Sequence, residues 1–220
     1  MQEDKKLLKH SDELKKTVVL SSAYLAPVEY YSALAKADRI YIEACDYYVK
    51  QSYRNRCRIV TANGVMDLSI PVERPEGNKT LIRDVRISEH GSWQTNHWRA
   101  IESAYNSSPF FEYYKDDLLP FYEKKWTFLW DFNCEIQQFI LDLLDLTPNI
   151  HYSESYQLNY GDDWMDLRET IHPKTEYVRE MKPYYQVFQS KFGFLSGMSI
   201  IDLIFNMGNE SILTLTKLQA

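Results

Sequence analysis

Two apolar, β-branched runs flank a proline-started helical stretch near the beginning of the chain, and this order constrains the fold more than any other feature. Residues 17–25 (TVVLSSAYL) read as a buried strand. Pro27 opens a helix at its first position, and residues 28–37 place Tyr30, Ala33, Leu34 and Ala37 on one side. Residues 39–49 (RIYIEACDYYV) form a second strand. Ile40, Ile42 and Ala44 point one way and Tyr41, Cys45 and Tyr47 the other, so both faces call for cover. Strand, helix, strand predicts parallel pairing with a right-handed crossover. In parallel α/β sheets, ligands bind beyond the carboxyl ends of the strands at a topological switch point. Asp46 closes the second strand, and Ser21-Ser22-Ala23-Tyr24 would lie beside it at the end of the first.

The next segments add a hairpin and then helices. CRIVTA (57–62) and VMDLSIPV (65–72) flank Asn63-Gly64, and a type I′ turn there would need positive φ at both residues. Residues 73–80 read as a loop and 81–87 as a half-exposed strand. Ser92 is the expected N-cap of a helix to about 106, with Trp93, His97, Ile101 and Tyr105 on its apolar stripe. Ser108-Pro109 and Leu119-Pro120 start two more helices, the second expected to run to about 146. Residues 149–175 are polar and weakly patterned, and read as an excursion or flap. A short helix is expected over 183–192, and Ser199 and Asp202 have capping-box spacing before IIDLIFN and its stop at Gly208. The whole predicts one α/β domain over 17–220: a mixed, partly parallel sheet from the N-terminal part, covered by helices from the middle and C-terminal part. Residues 1–16 are expected to be a tail.

Composition removes several functional classes. Cysteines occur only at 45, 57 and 134, too few and wrongly spaced for a disulfide framework or a zinc ribbon, and they fit a reducing compartment. Net charge is -6, which argues against nucleic acid as a partner. No secretory h-region and no long apolar run predict a cytoplasmic chain without a transmembrane segment. P-loop, dinucleotide-binding and nucleophile-elbow motifs are absent, and no histidine pair has metal-ligand spacing. The sequence names no cofactor. Tyr is abundant, with 17 residues, and suits polar pockets and interfaces because its ring is buried while its hydroxyl hydrogen bonds.

The densest polar stretch is Lys50-Gln51-Ser52-Tyr53-Arg54-Asn55-Arg56-Cys57-Arg58, with no acid between Asp46 and Asp67. If extended, it puts Arg54, Arg56 and Arg58 on one side, about 6.5–7 Å apart. Guanidiniums so placed can grip phosphate or carboxylate in bidentate fashion, and Asn55 offers an amide from the other side. The same pattern also fits a solvated edge strand whose arginines deter aggregation, or arginines buried in structural pairs with Asp or Glu. His97 is the side chain best suited to move protons near neutral pH, though a histidine on an apolar stripe also fits a core role.

Taken together these blocks resemble the WbqC-like family, associated with surface-polysaccharide (O-antigen) gene clusters. That family's opening His-Gln-Pro-x-Tyr-Leu-Pro corresponds to Ser21-Ser22-Ala23-Tyr24-Leu25-Ala26-Pro27, where serines replace the His and Gln. Its acid, its lysine and its Asn-Arg-x-Arg-Ile correspond to Asp46, Lys50 and Asn55-Arg56-Cys57-Arg58-Ile59. Its Trp-x-x-x-His-x-x-x-Ile-x-x-x-Tyr helix corresponds to Trp93, His97, Ile101 and Tyr105. The resemblance implies a role in surface-glycan biosynthesis, with transfer of a small group such as glycine to a sugar or sugar-linked intermediate. The ligand implied is an anionic small molecule such as a nucleotide sugar or sugar phosphate. Arg54, Arg56 and Arg58 would hold its phosphate, and Asp46 and His97 would serve as acid and base. Ser21, Ser22, Tyr24, Lys50, Gln51, Asn55 and Trp93 would bind substrate. A non-catalytic binding or scaffold protein of the same pathway is the alternative, and a homo-oligomer or a pathway partner stays open.

Overall fold

The computed structural model describes residues 17–73, 79–175 and 182–217. The expected tail 1–16 and the centre of the loop 73–80 lie outside them. The N-terminal order is as expected: β1 (Thr17–Ser21), α1 (Val28–Lys36) and β2 (Arg39–Glu43), with β1 and β2 parallel in the register Val18↔Ile40 and Leu20↔Ile42. Those four side chains share one core with Tyr30, Tyr31 and Leu34 of α1. The chain then forms the antiparallel hairpin β3 (Arg56–Thr61) and β4 (Gly64–Ser69).

The hairpin's turn differs from the one its sequence suggests. Ala62 and Asn63 form the loop, and only Gly64 has positive φ, at 105°. That is the pattern of an ordinary turn closed by a glycine bulge, which twists the strands together as well as a type I′ turn does. The Thr61 hydroxyl donates to the Gly64 carbonyl at 2.9 Å and takes the place of a second left-handed residue as the fastening.

The helical half follows in order: α2 (Trp93–Tyr105), α3 (Phe111–Leu118), α4 (Pro120–Glu123) and α5 (Leu129–Leu143). Residues 81–87 are no strand. Ile82–Asp84 make one 3-10 turn, and single bridges join Leu81 to Tyr47, Ile87 to Val72 and Arg86 to Phe128. The helix expected from 120 to 146 is broken over 124–128, where the Trp126 indole donates to the Phe121 carbonyl at 2.9 Å.

Residues 149–175, read as an excursion, carry β5 (Ile150–Tyr152) and β6 (Trp164–Asp166). Both pair parallel with the N-terminal strands, giving one parallel sheet in the order β5-β2-β1-β6. Three-residue edge strands bury too little apolar surface to stamp a period on the sequence. The C-terminal part adds α6 (Gln189–Phe192), α7 (Ile200–Met207) and α8 (Ser211–Lys217). Of the helix expected over 183–192, only α6 forms. Ser199 does sit at the start of α7, yet its hydroxyl donates to the Leu25 carbonyl at 2.7 Å instead of capping the helix.

The strand order locates the topological switch point of the sheet. From β1 the chain moves outward to β2 and β5, then returns to place β6 on the other side of β1. The direction therefore reverses between β1 and β6, and the switch point lies at their carboxyl ends.

Candidate functional site at the carboxyl edge of the sheet

A line of buried charges runs along that edge. Glu43, the last residue of β2, has no solvent exposure. One of its carboxylate oxygens accepts from the Ser153 hydroxyl and the Cys45 amide, and the other accepts from Arg168 at 3.0 Å. Arg168 follows β6 and also binds Asp166 through Nε and Nη2 and the Gln157 carbonyl at 2.9 Å. One guanidinium thus ties the ends of β2 and β6 together, with its donors well used.

The second ion pair is less complete. Gln51 takes a left-handed backbone, φ 59°, within the turn before Arg54. Arg54 enters the buried edge and donates through Nη2 to Oδ2 of Asp46. Asn133 of α5 holds this turn by donating to the Arg54 carbonyl at 2.8 Å. Yet Arg54 Nε, Asp46 Oδ1 and the hydroxyls of Ser21 and Ser22 are all buried without a hydrogen-bond partner among the described residues. Burial pushes the Asp46 carboxyl above its usual range, and the Arg54 charge pulls it part of the way back. Ser21, Ser22, Ala23, Tyr30, Arg54, Arg168 and His172 are among the residues lining a cavity of about 10 Å³ here. Burial lowers the basicity of His172; Glu169 opposes this, and the cations Lys174, Arg54 and Arg56 add to it.

The other residues singled out in the sequence go elsewhere. Arg56 and Arg58 lie on the hairpin, partly exposed, and share the carboxylate of Asp67 at 2.9 and 3.2 Å. Arg58 also donates to the Pro173 carbonyl at 2.8 Å, which anchors the strand of chain after Arg168. Asn55 donates to the Ile70 carbonyl at 2.8 Å and fastens the end of β4. Lys50 and Gln51 are exposed. The three arginines therefore do not form one row: Arg54 turns inward where the chain is not yet a strand.

Tyr24 and His97 meet each other in the core, at 3.0 Å between hydroxyl and Nδ1, and neither lines the cavity. Burial lowers the imidazole pKa to about 4, so His97 is neutral at physiological pH. Its N–H donates to the Ser69 carbonyl, which can only accept. Nδ1 must then accept from Tyr24, and Tyr24 accepts from Tyr122 at 2.8 Å. Trp93 packs edge-on to His97, and its other side lines a separate groove of about 160 Å³ with Gln94, Lys125 and Trp126.

Sequence reasoning missed Glu43, Ser153, Arg168 and His172. Glu43 had a readable signal, an acid ending an otherwise apolar buried strand. The other three lie in the weakly patterned stretch, where nothing local marks them.

The model of the WbqC-like protein family matches residues 22–178, well over half of the chain. The chain belongs to the WbqC-like family. The match takes in β2 to β6 and so includes Asp46, Arg54 and Arg168, and begins at Ser22 in the cavity wall. An uncharacterized protein of Mycobacterium tuberculosis, Rv1507c, is 27% identical over 224 residues, covering 90% of this chain and 96% of that protein. No solved structure matches. No helix among the described residues of this WbqC-like chain is long and apolar enough to cross a membrane.

Proposed function

We propose that this WbqC-like protein acts in cell-surface polysaccharide biosynthesis of the O-antigen type, binding an activated sugar or sugar phosphate and transferring a small group such as glycine to it. One observation carries the placement of the site: unpartnered buried donors and acceptors gather at the switch point of a parallel sheet, where Ser21, Ser22 and Arg54 line a cavity and Arg54 pairs with Asp46. Buried polar groups without partners are rare and costly, and strongly perturbed charges in such a cleft point to a functional site. Arg56 and Arg58, with one carboxylate between them, keep a net positive charge on the nearby hairpin face, suited to a phosphate.

A non-catalytic binding protein of the same pathway is the second reading. It is favoured by the state of the two acid-base candidates: Asp46 is engaged by Arg54, and His97 is neutral and enclosed with Tyr24.

A thermal-shift screen with nucleotide sugars, sugar phosphates, nucleoside phosphates, coenzyme A and glycine tests both. A ligand present at about 100 times its dissociation constant adds about 2.7 kcal/mol. For a domain of this size that is a rise of roughly 5–10 °C. A rise with one activated sugar, reduced in Arg56→Gln, supports the proposal. Product formation with that sugar then separates transferase from binder. No rise with any sugar compound would count against both.

A further inference from the structure

The hydrogen-bonding inventory of the cavity says which end of a ligand enters it, an inference that rests on the sugar-binding reading above. Two buried guanidiniums, Arg168 and Arg54, already face three carboxylates, the buried Glu43 and Asp46 and the partly exposed Asp166, so this edge holds no spare positive charge. A phosphate brought among them would leave an uncompensated buried anion. The remaining valences are of mixed kind. In the lining, Arg54 Nε can only donate and the hydroxyls of Ser21 and Ser22 do either. A phosphate dianion has only acceptors and would bring its charge up to a guanidinium that Asp46 already pairs. A hydroxyl group both donates and accepts.

Size agrees with valence. The cavity measures about 10 Å³, the space of a single water oxygen. Its lining serines are themselves small, and Ser22 is 3% exposed. Positive charge without a matching acid lies farther out, on Arg56 and Arg58, which share Asp67. Arg58 reaches the rim of the cavity, where it donates to the carbonyl of Pro173, the neighbour of cavity-lining His172, at 2.8 Å.

We propose that the Ser21–Ser22–Arg54 cavity is a hydroxyl subsite: it takes one hydroxyl of a sugar, and the ligand's phosphate stays outside against Arg56 and Arg58. The orientation is then fixed from two ends, by a neutral polar contact inside and an ionic contact outside.

Titration calorimetry on the full chain tests this with three probes: neutral hexoses, the matching hexose 1-phosphates, and inorganic phosphate. Ser22→Val fills the cavity, and Ser22→Ala removes only the hydroxyl. The melting temperature checks that each variant is folded, and because the Ser22 hydroxyl has no partner among the described residues to lose, Ser22→Ala should melt at or above the wild-type temperature. The expected result is that Ser22→Val weakens the hexose 1-phosphate about tenfold or more, the scale of one lost polar contact. The same variant should leave inorganic phosphate unaffected, while Arg56→Gln weakens both phosphate-bearing probes. If Ser22→Val weakens inorganic phosphate as much as the sugar phosphate, the phosphate occupies the cavity and the inference is overturned. If sugar phosphates bind and Ser22→Val changes nothing, the subsite alone falls and the sugar reading stands. If none of the three probes binds, the sugar reading falls and takes the subsite with it.

Discussion

Two buried carboxylates, Asp202 and Asp46, sit in comparable burial and are treated in opposite ways. Asp202 of α7 is 1% exposed, and both of its oxygens are occupied. One accepts from the Tyr105 hydroxyl at 3.0 Å, the other from the Tyr184 hydroxyl at 2.6 Å and the Gln186 amide at 2.7 Å. It knits α2, α7 and the 184–186 segment together. Asp46 is 7% exposed, and among the described residues its carboxylate has one partner and one oxygen left empty. Burial raises the pKa of both, so protonation chemistry alone does not tell them apart. Satisfaction does. A cluster with every valence filled has nothing left for a ligand, whereas one with open donors and acceptors at a switch point has a use for one.

The sharpest way to break this contrast is to remove each carboxylate's role in turn. Asp202→Leu strands two tyrosine hydroxyls and an amide in the core, and should destabilise by about 3–5 kcal/mol in urea unfolding. A loss below about 1 kcal/mol would show that the cluster is not structural after all. Arg54→Met leaves Asp46 buried without its counter-ion. It should cost about 3 kcal/mol, partly recovered in the double variant with Asp46→Asn, because the uncompensated charge rather than the lost contact is the penalty. A double variant no more stable than Arg54→Met alone would mean that the pair is exposed enough to be irrelevant.

His97 offers an intermediate case, filled but titratable. Its folded pKa of about 4 lies below the unfolded value, so the folded chain resists the proton that the unfolded chain accepts. The sign follows: stability is complete above about pH 6.5 and falls as pH drops from there towards 4, by at most about 3 kcal/mol. His97→Gln should remove this acid-side slope while lowering stability at neutral pH. An unchanged slope in that variant would place the acid sensitivity elsewhere.

The fold was largely legible because its first three elements obey strong rules. Thr17–Ser21, Val28–Lys36 and Arg39–Glu43 have apolar periods and a proline start that admit one arrangement. That arrangement also pointed to the carboxyl ends of the strands, so Asp46 and Ser21-Ser22 could be named. The rest of the edge was hidden for a physical reason. Ser153 and Arg168 act on Glu43 across separations of 110 and 125 residues, from strands too short to pattern. Conversely, Arg54, Arg56 and Arg58 looked equivalent because spacing in a sequence assumes an extended chain. The left-handed turn at Gln51 ends that assumption before Arg54. Tyr24, His97 and Trp93 illustrate the opposite limit: their chemistry was visible, but side-chain chemistry does not say which way it faces.

The smallest expected effect sharpens the comparison most, because it predicts silence. The Ser22 hydroxyl is buried and has no partner among the described residues, so the folded state already bears the cost of hiding it from water. Replacing it by a methyl hydrogen in Ser22→Ala removes that cost and loses no bond. The change in unfolding free energy should therefore lie between no change and a gain of about 1 kcal/mol. Ser199→Ala is the matched control, since that hydroxyl donates to the Leu25 carbonyl in the same core and should cost about 1 kcal/mol when removed. If Ser22→Ala is as damaging as Ser199→Ala, the Ser22 hydroxyl has a partner within the fold, and the distinction between a filled cluster and an open one disappears at the position where it matters most.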